Sequence, residues 1–226
     1  MPTILEFIGF AGSGKTFISR RLRDELGEGC VLISELEVGA LDVLSFSVVH
    51  PLSVVYAILF IVSTKQPNRK LALGYIKEII KYRLRIDKAM RSKHKCLLID
   101  EGMLHKLRNI RGTSTISNLT YNDIRLSYRR DLFSKANIVV YVDAPLATIA
   151  YRRLKRRNAS PDLSLMNKQI AHIKLEVEKR RKGTEQDINA ARNEHSFEYL
   201  EVYNKENESV DAIIRVIKNR LGNTTC

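Results

Sequence analysis

The chain has no tryptophan, only five prolines and only three cysteines in 226 residues. Cys30, Cys96 and Cys226 are odd in number and widely spaced, which excludes a disulfide scaffold and leads to the expectation of a reduced, cytosolic setting. No basic stretch with an apolar core precedes the first apolar run, so no secretory leader is expected. Internal repeats and low-complexity segments are also missing, which sets aside solenoids and disordered arrays. Acidic residues are in deficit: 25 stand against 38 basic ones, a net charge of +13. That balance implies an anionic partner, and polyphosphate satisfies it as well as nucleic acid does.

What is present begins at once. Residues Gly9 to Thr16 read Gly-Phe-Ala-Gly-Ser-Gly-Lys-Thr, the G-x-x-x-x-G-K-T (Walker A) pattern, directly after the apolar run Ile4, Leu5, Phe7, Ile8 and before a helical stretch. Glycines let consecutive backbone N–H groups curl around phosphate oxygens, and the following helix aims its N-terminal dipole at the same anion. Gly9, Ala11, Gly12, Ser13, Gly14, Lys15, Thr16 and Phe17 are the expected nucleotide-binding set. Lys15 would neutralise the β- and γ-phosphates, and Thr16 would offer its hydroxyl to Mg²⁺.

Short apolar runs at Thr3–Ile8, Cys30–Ser34, Lys95–Asp100, Asn137–Asp143 and Phe197–Val202 alternate with helical patterns. The expectation is an α/β fold, a three-layer parallel sheet of about five strands in one domain over 1–226. A final helix is expected over Ser209–Leu221, stopped by Gly222. The loop at Gly9, the pair Asp100 and Glu101, and Asp143 all fall at strand carboxyl ends, where such sheets bind ligands.

Helical insertions are expected at about 40–92 and, as a lid, at about 150–185. Within the first, Val43 to Ser63 carries no charge over 21 positions, long enough to span a bilayer. His50-Pro51 breaks it and serines dilute it, so a broken pair of buried helices or a flap over an acceptor is expected, with peripheral membrane contact through 43–63 as the alternative. Arg69 to Arg91 is strongly basic, which suits an anionic surface or an ordinary solvated face.

Cys96 to Gly102 is an apolar strand ending in two carboxylates, the form of a Walker B element. Asp100 would hold Mg²⁺ through water or through Thr16, and Glu101 is the candidate general base for the acceptor hydroxyl, or the group that polarises a water. Further on, Val139 to Arg157 reads as a strand, an Asp-Ala-Pro turn and an arginine-rich helix, and guanidinium groups on a mobile lid can spread over phosphoryl oxygens.

These motifs together resemble the nucleoside and nucleotide kinase branch of the P-loop fold, thymidylate kinase above all. The resemblance implies ATP with Mg²⁺ and lid contacts from Arg153 and Arg157, leaving Arg152 and Arg156 as off-pattern neighbours that solvate the helix. It also implies that the last strand and loop, Glu201 to Glu208, lie against adenine, with Asn204 as the contact. Such kinases are often dimers. The sequence departs from the family where thymidylate kinases carry cationic readers of a nucleoside monophosphate: this chain has Asp100-Glu101 and Ser34-Glu35-Leu36-Glu37. Glu35 or Glu37 would then accept hydrogen bonds from acceptor hydroxyls, with Arg108, Arg111, Arg129 and Arg130 as substitute anion contacts.

The expected activity is therefore Mg²⁺- and ATP-dependent phosphoryl transfer to a small-molecule or glycan acceptor. A polynucleotide kinase or nucleic-acid-associated ATPase is the alternative, disfavoured because no nucleic-acid module or aromatic stacking platform accompanies the basic runs. A GTPase or transporter subunit is disfavoured by motif: Asn167-Lys168 continues as Gln-Ile and Asn204-Lys205 as Glu-Asn, neither a guanine-reading Asn-Lys-x-Asp, and no Ser-Gly-Gly-Gln transporter signature occurs.

Overall fold

The computed structural model describes residues 2–63, 69–102, 136–156, 163–205 and 210–224. Five strands, β1 (Thr3–Gly9), β2 (Cys30–Leu32), β3 (Cys96–Ile99), β4 (Ile138–Asp143) and β5 (Glu198–Tyr203), form one sheet in the order β2-β3-β1-β4-β5. All neighbours are parallel; Leu5, for example, stands opposite both Leu98 and Ile138. The chain leaves β1 towards one edge and returns across it to build the other half. The crevice at the carboxyl end of β1 is thus where a ligand has room between diverging connections.

The central strands are apolar on both faces because both are covered. Leu5 and Phe7 of β1 pack with Ile18 and Leu22 of α1 (Lys15–Leu26) and with the terminal helix Val210–Thr224. Ile4 and Ile8 face the other way, towards Ile79, Tyr82, Ile86 and Ala89. Those four residues recur every three or four positions along Arg69–Arg91, so one stripe of that helix is core while its other faces carry the basic residues.

The insertion consists of α2 (Ala40–Val49), α3 (Pro51–Ser63) and α4 (Arg69–Arg91). The break falls at His50-Pro51, as the sequence predicts: the residue before a proline is pushed out of helical conformation, and His50 sits at φ −123°, ψ 57°. No helix among the described residues is long and apolar enough to cross a membrane. Beyond β4 come α5 (Leu146–Arg156) and α6 (Leu163–Glu194), the latter running past the expected end of the lid.

Two boundaries need correction. Residues Ile33–Glu35 form a 3-10 turn, so β2 is shorter than its apolar pattern suggests. The terminal helix, α7 (Val210–Thr224), passes through Gly222 and is not stopped by it. A glycine inside a helix costs only about 1 kcal/mol relative to alanine, and no proline follows to enforce an end.

Candidate nucleotide site

The loop after β1 is held by its carbonyls. Lys15 Nζ donates to the Gly9 and Phe10 oxygens, each at 2.9 Å, and the Ser13 N–H closes the turn onto Phe10 O at 3.1 Å. Arg152 Nη1 donates to Gly12 O at 3.1 Å, and Asn204 Nδ2 to Ser13 O at 2.8 Å. An anion cradle must present N–H groups and not oxygens, and engaging the carbonyls in this way sets that polarity. Gly9 (φ 139°) lies so close to the Val142 carbonyl on β4 that a side chain would collide with it. Gly14 caps α1 at φ 102°, and a Cβ there would run into the Asn204 amide. The Ser13 hydroxyl is buried and meets no hydrogen-bond partner among the described residues, as expected of a group that serves a bound oxyanion.

Lys15 is buried, and its pKa is lowered to about 8. Desolvation is the largest cause, and Arg156 adds to it; Glu101 and Asp100 oppose it. An ammonium held out of water against two carbonyls is poorly solvated, and a triphosphate tail would supply oxygens in place of the lost water.

The two carboxylates beyond β3 diverge. Asp100 is buried, while Glu101 is exposed and lines the cavity beside Lys15 and Thr16. Among the described residues no group of three or more His, Cys, Asp or Glu side chains could hold a metal alone. Thr16 lines the cavity and Asp100 is buried at the end of β3, and a hydroxyl and a carboxylate are the oxygen donors that Mg²⁺ takes when phosphate and water complete its shell.

Helix α5 delivers Arg152, Arg153 and Arg156 to the cavity wall. This corrects the expectation that Arg152 and Arg156 only solvate the helix. Ile149 packs beneath Gly12, and residues three, four and seven positions on share its face, so the helical period carries all three arginines to the cavity once that tertiary contact is made. Arg153 also donates to Glu176 of α6 at 3.0 Å, tying the two helices together. Arg157, Arg108, Arg111, Arg129 and Arg130 lie outside the described residues.

Asn204 is buried; its N–H donates to Asp143 O at 2.8 Å and its amide holds Ser13, so it pins the end of β5 to the loop. The Asp143 carboxylate accepts the Ala144 N–H at 2.9 Å. Ala11 and Phe17 line the cavity mouth, joined by Tyr141 of β4 and Thr184 of α6, which the sequence reading did not single out. Glu35 and Glu37 do not reach it. Glu35 pairs with Arg23 and Arg20 on α1, and Glu37 is exposed near Lys88, which donates to its carbonyl. The cavity that results, about 660 Å³, runs from the loop past Glu101 to the α5 arginines.

Sheet order and the glycine loop at the end of β1 define a parallel α/β fold with helices on both faces. No family model and no curated protein sequence matches the chain. Among solved structures, deoxyadenosine kinase from M. mycoides with dCMP and a flexible dCDP bound superposes with a TM-score of 0.50 at 14% identity, over 98% of this chain and all of that one. The same enzyme with bound dATP gives 0.49 at 17%, over 97% and 100%, and TT1252 from Thermus thermophilus gives 0.45 at 15%, over 98% and 97%. The first of these likenesses shows the nucleoside-kinase fold, and at such identity it shows the fold alone.

Proposed function

We propose that the chain is an ATP- and Mg²⁺-dependent phosphotransferase acting on a hydroxyl of a small acceptor of nucleoside size. The observation that carries this reading is one cavity lined by the glycine loop, a buried lysine, a carboxylate and three arginines. Mg²⁺, held by Thr16 and Asp100, would neutralise phosphate charge. Lys15 and the loop amides bind and orient the phosphates, and Arg152, Arg153 and Arg156 stand where charge on a transferring group would be met. Glu101, facing the cavity, accepts the acceptor proton.

The cavity is within the size range of small-molecule sites, which favours a nucleoside, nucleotide or sugar over a polymer. Glu101 in place of a cationic reader of thymidylate kinases favours a hydroxyl over a monophosphate. The deoxyadenosine kinase of the same fold holds dCMP and dCDP as products, which makes nucleosides the first acceptors to try. The deciding experiment is ADP release from MgATP with nucleosides, nucleoside monophosphates, sugars and isolated glycans, with Lys15→Met as the blank. Acceptor-dependent release by the wild type alone supports the proposal; equal release by both, or none with any acceptor, ends it.

A further inference from the structure

The face of the insertion that points away from the sheet is built for a different partner. Leu41, Leu44 and Val48 on α2 are exposed, as are Leu52, Val55, Leu59 and Val62 on α3, by 46% to 81%. Within each helix the spacing is three or four residues, so each set is one stripe, while Phe46, Ala57 and Ile61 on the opposite faces are buried. At on the order of 100 Å² per side chain, the stripes exceed the few hundred Å² that monomers ordinarily leave exposed.

No charged side chain interrupts residues 43–63. The charge sits beside them: α4 packs against both α2 and α3, and between Lys77 and Arg91 it carries six basic and two acidic residues. Lys77, Lys88 and Arg91 are exposed, as are Lys93 and Lys95 just beyond. The 13 residues of α3 extend about 20 Å, short of the ~30 Å hydrocarbon layer, so the stripe suits the plane of an interface and not a span.

We propose that the α2–α3 face is a peripheral docking surface for an anionic lipid bilayer, the aliphatic stripes resting at the acyl boundary and the basic flank of α4 meeting the headgroups. Charge complementarity selects this occupant. A second copy would bring another +13 against a face with almost no acid to offset it; Asp42, the one carboxylate on α2, is engaged with the Gly39 N–H. The inference stands whether or not the chain is a kinase.

The test is co-sedimentation of the full chain with neutral phosphatidylcholine vesicles and with vesicles that also contain phosphatidylserine. Binding is expected to the latter, weakening as salt is raised. The triple variant Leu52→Ser, Val55→Ser, Leu59→Ser should partition at least about tenfold less, with melting temperature and MgATP affinity unchanged. Lys77→Gln with Arg91→Gln should lower only the phosphatidylserine-dependent part. No binding to the anionic vesicles at low salt overturns the proposal, as does wild-type partitioning by the triple variant. So does a lower melting temperature in that variant, because the face would then be packed within the fold, or a dimer in sedimentation velocity that the variant dissolves.

Discussion

The sharpest consequence of the site concerns Lys15 and protons. Its pKa of about 8, against 10.5 in water, means that above about pH 8 the free protein has lost a proton that a complex with a triphosphate would keep, since phosphate oxygens beside Nζ favour the charged form. Below that pH both states hold the proton and Lys15 adds no pH dependence. Above it, affinity falls until the pKa of the complex is passed. If only the ammonium binds, the Kd for MgATP rises about tenfold from pH 7 to pH 9. A lysine at its ordinary pKa would change it by only about 3%. Calorimetry in two buffers of different ionisation enthalpy should register uptake of about 0.9 proton per MgATP at pH 9. Lys15→Met should bind far more weakly and take up none.

The same shift sets a sign for stability. A depressed lysine pKa means that the charged form strains the fold, so stability rises as pH climbs from about 8 to 10.5. At neutral pH that strain is about 3 kcal/mol. Lys15→Met relieves it but strands the Gly9 and Phe10 carbonyls, at about 1 kcal/mol each. The inactive variant should therefore melt no lower than wild type, by differential scanning calorimetry at pH 7. A Kd for MgATP that is flat from pH 7 to pH 9, with no proton uptake, would refute the placement of Lys15 against the phosphates.

Other expectations follow from neighbouring contacts. Glu101→Gln should cut kcat by about 10²–10⁴ with little change in MgATP affinity at pH 7; because Glu101 raises the Lys15 pKa, the alkaline limb of binding should also move to lower pH, and an unmoved limb with full kcat would remove Glu101 from the site. Gly14→Ala forces a left-handed backbone and a collision with Asn204, so nucleotide binding measured by calorimetry should be lost; unaltered affinity contradicts the cradle. Asn204→Ala strips a buried hydrogen bond to Ser13 and should lower stability by about 1–3 kcal/mol in urea titrations while weakening MgATP binding. Arg153→Ala should lower kcat, whereas Glu176→Gln, which breaks the same partly exposed pair, should cost under about 1 kcal/mol and spare kcat; equal losses from the two would make Arg153 a strut between α5 and α6.

Much of the sheet was legible because its strands are buried on both faces and read as unbroken apolar runs, as at Leu97–Ile99 and Val139–Val142. The turn at residues 9–16 was legible because its glycines answer to local backbone geometry. The break at His50-Pro51 was legible for the same reason, since proline restricts its neighbour whatever surrounds it. Where the reading slipped, local preference had no such compulsion: Ile33 is apolar enough for a strand but turns, and Gly222 is tolerated in α7.

By itself, then, the sequence determined the parallel α/β class, the position of the cradle at the end of β1 and the acidic terminus of β3, because each rests on the conformational limits of a few adjacent residues. Only the tertiary structure decided that Arg152 and Arg156 join Arg153 on the cavity wall, that Asn204 ties β5 to Ser13 across 191 positions, and that Glu35 is claimed by Arg23. It alone also showed that the stripes of α2 and α3 face outwards. Those outcomes depend on which helix face meets which strand end, and that is fixed by packing between residues far apart in the chain.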